Sequence, residues 1–449
     1  MLSFSAIAFS QTSPAEGDWE GVLKLPSAQL RLRLHLKAAP SGLAGTMDSV
    51  DQNAFGLPIS DVTFTAGTLK WQMPQLRASF EGQMNAAGNE IAGNFTQGMA
   101  LPLTLKRMDP AAAASAGPKR PQMPQPPFPY TAADVAFPSK SSGVTLAGTL
   151  TMPAGKGPHP ALILVTGSGP QDRDESLMGH KPFLVLADCL TRQGIAVLRY
   201  DDRGIGKSTG SFATATSLDF SMDAEGALDF LKTRPDINAK SIGIAGHSEG
   251  GIIAPMVAAR RSDVAFIVLL AGTAVTGADV ILEQGQAIAR VSGATEEQLK
   301  AARAKQLEFT RIMNSTSDPG ELEKKLREFL AGAPNADAQI RQLTSPWMRF
   351  FMTYDPAPTL AKVKCPVLAL NGEKDLQVLP DQNLPPMKAA LEKGGNKDVT
   401  ILRLPSLNHL FQSAKTGAVS EYAQIEETMS PAALEAIAKW VRTKSGLEK

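Results

Sequence analysis

The chain is expected to be an α/β protein: a mostly parallel sheet covered by helices on both faces, carrying a helical insert and preceded by a small antiparallel β domain. Three observations predict this. Short apolar runs at 144–152, 161–166, 195–200, 241–245, 265–270, 366–370 and 399–404 alternate with helical patterns, and unbroken apolar strands of that kind are buried on both faces. Residues 18–108 instead alternate apolar and polar positions, as in Leu30-Arg31-Leu32-Arg33-Leu34-His35-Leu36, the period-two signature of strands with one wet face. Finally, Gly246-His247-Ser248-Glu249-Gly250 stands directly after the apolar run Ile242-Gly243-Ile244-Ala245 and directly before Gly251-Ile252-Ile253-Ala254. That places a serine on a sharp turn between a strand and a helix.

In chain order, residues 1–17 are expected to be the remnant of an export signal or a disordered terminus. Ala8-Phe9-Ser10 has the small-x-small form of a cleavage site, although the basic segment that opens such signals is missing. This implies a secreted or periplasmic protein, with a cytoplasmic one as the alternative. Residues 18–108 make the β domain, a barrel or a sandwich. Residues 109–131, with seven prolines between Asp109 and Pro129, read as a semi-extended linker. Residues 132–449 form the α/β domain. Within it, 277–360 is far longer than a connection needs and carries helical spacing (Leu299, Ala302, Gln306, Phe309; then Leu322, Leu326, Phe329), which predicts a helical cap inserted over the site. Its segment Trp347-Met348-Arg349-Phe350-Phe351-Met352 either lines a pocket or packs the cap's own core.

With 45 basic and 44 acidic residues the formal charge is +1, so no electrostatic argument favours nucleic acid or an anionic membrane as a partner. No run approaches the roughly 18 apolar residues of a membrane span. Cys189 and Cys365 lie in apolar surroundings without metal-ligand spacing, and are expected to be buried free thiols. Neither a metal nor an organic cofactor is implied.

A serine hydroxyl needs a histidine to take its proton and a carboxylate to orient that histidine. Of the five histidines, His35 lies in the β domain, His159 precedes a buried strand, His180 lies near a helix start, and His247 adjoins the serine and should point away from it. His409 remains, in a loop after the strand at 399–404. Asp375 ends the turn Asn371-Gly372-Glu373-Lys374-Asp375 after the strand at 366–370 and is read as the acid, with Glu373 its rival. The oxyanion hole needs backbone N–H groups. One is expected from Glu249, after the nucleophile; the other from Ser168, with Gly169 the alternative, where the strand at 161–166 runs into Gly167-Ser168-Gly169-Pro170. The stretch Asp201-Asp202-Arg203-Gly204-Ile205-Gly206-Lys207-Ser208 superficially suggests a phosphate loop. Asp201 stands where that motif has its first glycine, and a structural turn is the better reading. Arg173 and Asp174 are expected to pair and brace their loop.

On these residues, and on Gly167-Ser168-Gly169-Pro170-Gln171-Asp172-Arg173-Asp174, the chain resembles the α/β-hydrolase superfamily, and within it bacterial serine esterases with a helical insert before the acid. The resemblance covers roughly 132–449. It departs at Thr166, where many members carry His. The chain order Ser, Asp, His is the one that fold uses. The resemblance implies a serine carboxylesterase acting on small-molecule esters of short acyl chains through Ser248, His409 and Asp375. A serine peptidase on small peptides is the first alternative; it would need a carboxylate at the pocket mouth to hold an amino terminus, for which Glu249, Glu283, Glu296, Glu297 and Asp355 are candidates. The second is a binding protein with an inert hydrolase core.

Overall fold

A computed structural model describes residues 13–25, 29–39, 42–50, 54–109, 119–333 and 336–448. The export-signal reading of residues 1–10 falls outside them. The chain divides into two compact units. One runs to Lys119 and takes in Leu177–Gly179 and Tyr422–Glu426; the other holds Arg120–Ser176, His180–Glu421 and the chain from Glu427 onward.

In the first unit, the described residues form strands β1 (Gly17–Lys24), β2 (Gln29–Ala39), β3 (Gly42–Ser49), β4 (Ala54–Pro58), β5 (Ser60–Thr65), β6 (Thr68–Met73), β7 (Ala78–Met84), β8 (Glu90–Gln97) and β9 (Met99–Arg107). They make one sheet in the order β4-β3-β2-β1-β9-β8-β7-β6-β5. Because the two edge strands, β4 and β5, are consecutive in the chain, the sheet curls until β5 lies against β3. Of the two expected forms, it is the nearly closed barrel. The period-two pattern has its physical meaning here: Leu32, Leu34 and Leu36 of β2 point inward and are buried, as are Trp19, Trp71, Phe80 and Phe95. Trp71 and Phe80, cross-strand partners, stack with ring centroids 5.7 Å apart.

The second unit contains β10 (Thr131–Pro138), β11 (Thr145–Met152), β12 (His159–Val165), β13 (Ala196–Tyr200), β14 (Ile237–His247), β15 (Ile267–Leu270), β16 (Val367–Gly372) and β17 (Val399–Leu404). Their order is β10-β11-β13-β12-β14-β15-β16-β17. From β13 to β17 every pairing is parallel, while β10 and β11 add antiparallel strands at one edge. One face packs on helices α1 (Pro182–Thr191) and α10 (Pro431–Lys444), through Phe183, Leu186, Ile437 and Val441. The other packs on α2 (Ser217–Lys232), α3 (Gly250–Arg260) and α9 (Pro380–Lys393), through Leu228, Ile253, Val257 and Met387. Strand β10 was not expected. Most of its side chains are exposed, so no periodic burial marks it, and only its register with β11 makes it a strand. It also takes Thr131 out of the stretch read as linker. Upstream, Gln122 is pinned within this unit: its Oε1 accepts Thr428 N–H (2.6 Å) and Met429 N–H (3.0 Å), and its Nε2 donates to Met429 O (2.7 Å).

Between β15 and β16 lie α4 (Gly277–Val291), α5 (Glu296–Met313), α6 (Pro319–Phe329), α7 (Ala336–Leu343) and α8 (Pro346–Thr353). Thr295 starts α5 through a capping box with Gln298. The insert has its own core of Phe309, Met313, Leu322, Leu326, Ile340, Met348 and Met352, so Met348 and Met352 pack the insert, and Met352 also borders a cleft with Arg349 and Phe350. Ala302, expected on the buried stripe, is exposed. Among the described residues, no helix is long and apolar enough to cross a membrane.

Candidate active site

Strand β14 ends at His247 and α3 begins at Gly250, leaving Ser248 on the turn with φ +52°. This left-handed conformation costs a side-chain-bearing residue about 1–2 kcal/mol; the Ser248 N–H bond to Leu270 O at 2.8 Å helps hold it. The flanking glycines are steric necessities. A Cβ on Gly246 would lie 1.9 Å from Gly250 O, and one on Gly250 would lie 2.3 Å from Val165 O.

The turn after β16 and the loop after β17 bring Asp375 and His409 together, with His409 Nδ1 2.8 Å from Asp375 Oδ2. Both residues are buried. Asp375 is held by Gln377 N–H (2.8 Å) and Val378 N–H (2.9 Å) on Oδ1 and by Asn371 Nδ2 (3.2 Å) on Oδ2. The His409 loop is shaped by Asn408, whose Oδ1 accepts Leu410 N–H (3.0 Å) and Gln412 N–H (2.9 Å). With Nδ1 facing the carboxylate, Nε2 is the nitrogen left for chemistry. Glu373, the rival acid, is exposed and accepts Ser406 N–H at 3.0 Å, away from His409.

His247 and Glu175 form a link that sequence reasoning missed. His247 Nε2 donates to His409 O (3.0 Å), its Nδ1 meets Glu175 Oε1 (2.8 Å), and its ring lies 4.7 Å from that of His409. Burial works to lower the His247 pKa, but the Glu175 carboxylate and the His409 carbonyl outweigh it and the pKa is raised. The imidazolium form satisfies both partners. Glu175 Oε1 also accepts Gly167 N–H at 2.9 Å, tying the loop after β12 to the elbow. Gly167 is therefore spoken for as a donor. Among the described residues no backbone carbonyl takes the N–H of Ser168, Gly169 or Glu249.

The loop's far side is held by Asp202, whose Oδ1 accepts Thr166 Oγ1–H and whose Oδ2 accepts Gln171 N–H, both at 2.9 Å. Burial pushes the Asp202 carboxyl up to about 8. The stretch Asp201–Ser208 is thus structural, as the sequence reading preferred. Arg203 bonds Asp223 through Nε and Nη2, both at 2.8 Å. The expected Arg173–Asp174 pair does not form. Arg173 bonds Asp201 (Nε to Oδ1 3.0 Å, Nη2 to Oδ2 2.7 Å) and Asp134 (3.1 Å), while Asp174 pairs with Arg199 and with Lys181 (3.0 Å). Adjacent side chains leave the loop in different directions, so each finds a partner on another element.

A second correction concerns Glu249, read as able to reach the site's edge. Its side chain is buried, accepting Ser217 Oγ–H (2.6 Å) and Trp347 Nε1–H (2.8 Å) on Oε1. Of the other acids proposed to hold an amino terminus, Glu283 pairs with Arg303 at 2.8 Å, Glu296 and Glu297 are exposed in the first turn of α5, and Asp355 is exposed and accepts Ala357 N–H. The cysteines are free, and half-buried where full burial was expected; burial raises both thiols, Cys365 to about 12.

Residues 182–413, just over half of the chain, match the family model described as "Serine aminopeptidase, S33". The chain belongs to this family of α/β hydrolases. The matched region contains Ser248, Asp375 and His409, and stops short of Ser168. Among characterised relatives the chain is similar to Esterase EstD of Thermotoga maritima, 27% identical over 303 residues, covering 66% of this chain and 65% of that protein. The chain thus spans just under two thirds of that relative's length. It is also 24% identical over 251 residues to an uncharacterised 31.7 kDa protein of Escherichia coli, covering 54% of this chain and 81% of that one. Among solved structures, an esterase of Pyrococcus furiosus aligns with 71% of this chain and 91% of its own, at 14% identity and a TM-score of 0.44.

Proposed function

We propose that the chain is a serine carboxylesterase acting on esters with short acyl groups. The observation that carries this reading is His409 on Asp375, in a unit whose family fold presents Ser248 on a left-handed elbow. In the reaction, Ser248 Oγ attacks the ester carbonyl as His409 Nε2 takes its proton, and Asp375 steadies the resulting imidazolium. The N–H groups of Ser168 or Gly169 and of Glu249 receive the oxyanion. His409 passes the proton to the departing alkoxide, leaving an acyl-serine. Water attacks that acyl group, again giving its proton to His409, and Ser248 is released with the acid. The helical insert acts as the cap of this site; Trp347 on Glu249 and Phe351 packed on Ile252 and Met256 of α3 support that role.

The family description names a peptidase, but the acids available to hold an ammonium are buried, paired or exposed on the insert's surface. Esters also demand less protonation of the leaving group. The expected kcat/KM for p-nitrophenyl acetate or butyrate exceeds that for aminoacyl p-nitroanilides by roughly 10²-fold; equal values would favour the peptidase. Ser248→Ala should abolish both hydrolysis and fluorophosphonate labelling, a loss on the order of 10⁴-fold or more. Labelling that persists in this variant would move the nucleophile elsewhere. Asp375→Asn should lower kcat by roughly 10³-fold, with Glu373→Gln unchanged.

A further inference from the structure

Resting on the esterase reading, we infer that Glu249 is a positioning residue that makes the oxyanion hole depend on the seating of helix α8. Its backbone N–H is one proposed oxyanion donor, while its carboxylate is buried and accepts from two neutral donors on two elements. Ser217 Oγ, on the first residue of α2, donates at 2.6 Å and Trp347 Nε1, on α8, at 2.8 Å. The Ser168 hydroxyl, on the residue proposed as the other oxyanion donor, also favours the carboxylate. One side chain therefore ties the Glu249 half of the hole to α2 and to the insert.

Physical chemistry makes the tie consequential. Glu249 is buried with no cation among the groups acting on it, and burial raises its pKa against the pull of these hydrogen bonds, so losing one leaves the side chain to seek another arrangement. Its main chain has little slack, since Ser248 before it is held left-handed and Gly250 after it sits against Val165 O. A reoriented carboxylate must therefore shift the N–H of Glu249. Trp347 is braced for its part: its ring stacks on Phe351 at 5.1 Å and 8°, and Phe351 packs on Ile252 and Met256 of α3. The insert thus supplies a hydrogen-bond donor to the carboxylate behind the hole as well as covering the site.

The test compares Trp347→Phe, which keeps the ring stack and loses the N–H, with Ser217→Ala, whose residue is buried on α2. Steady-state kinetics on p-nitrophenyl butyrate and the rate of fluorophosphonate inactivation are measured on the full chain, with urea unfolding as a check on folding. Each variant is expected to lose roughly 10-fold in kcat and in inactivation rate, as for one hydrogen bond to a charged group, with KM within about 2-fold of the parent. Combining either with Glu249→Gln should add little, because both act through the same carboxylate. A rise in KM alone for Trp347→Phe, with Ser217→Ala unchanged, would make Trp347 a pocket wall and overturn the inference. Effects that multiply in the double variants would overturn it as well. A parent chain inert to the phosphonate and to every ester would instead bring down the esterase reading, and this inference with it.

Discussion

Replacing Asp202 by Asn should change how stability depends on pH more than it changes stability at any one pH. Asp202 is 8% exposed, with Glu249 and Asp223 as acidic neighbours, and its pKa stands at about 8 because burial dominates. The usual aspartate value is about 3.9. Between these two values the folded state keeps a proton that the unfolded chain has already released. Stability must therefore fall as pH rises through this window, by up to about 1.4 kcal/mol per pH unit from this one group. Below the window both states are protonated, above it both are ionised, and the slope vanishes. From pH 5 to pH 7 the contribution is on the order of 2–3 kcal/mol. Asparagine does not titrate, yet it satisfies the same partners: its oxygen accepts Gln171 N–H, and its amide donates to Thr166 Oγ1 once that hydroxyl turns. Urea unfolding followed at 222 nm, where the helical unit dominates, should show Asp202→Asn gaining on the parent by that amount between pH 5 and pH 7. Parallel profiles would mean that Asp202 is ionised in the folded protein, and the burial argument would fail.

Three further outcomes are expected. Glu175→Ala leaves the buried His247 without its carboxylate and Gly167 N–H without an acceptor, and should cost about 3–5 kcal/mol by urea unfolding; a loss below about 1 kcal/mol would dismiss the link. In the barrel, His35 meets Asp48 (2.8 Å) and Asp18 (2.6 Å), and the Asp48 hydrogen bond foremost raises its pKa. Its stabilising effect is full below the unfolded value near 6.5 and is lost as pH rises through the raised value, so the gap between parent and His35→Asn should shrink on going alkaline; a gap independent of pH would refute it. A shortened chain beginning at Arg120 should remain folded and hydrolyse esters, whereas one beginning at Tyr130 lacks Gln122 and its three hydrogen bonds. That loss should amount to about 2–3 kcal/mol, and equal melting temperatures for the two chains would rule it out.

What could be read along the chain is what local physics dictates. A serine flanked by glycines between an apolar run and a helix is forced by sterics, and the close approaches at Gly246 and Gly250 are the reason. Alternation in Leu30–Leu36 declares one wet face because side chains alternate across any strand. That Asp375 and His409 meet was legible because turns at the carboxyl ends of parallel strands share one edge of the sheet. Tertiary structure decided which distant group each polar side chain meets. Glu175 reaches His247 across 72 positions, Glu249 turns inward to Trp347 across 98, and Arg173 and Asp174 part company for Asp201 and Arg199. Strand β10 belongs here too, since only its pairing with β11 makes it a strand. The physical reason is common to all of them: a buried charge must find a partner, or a proton, wherever the fold has brought one, and sequence separation says nothing about that distance.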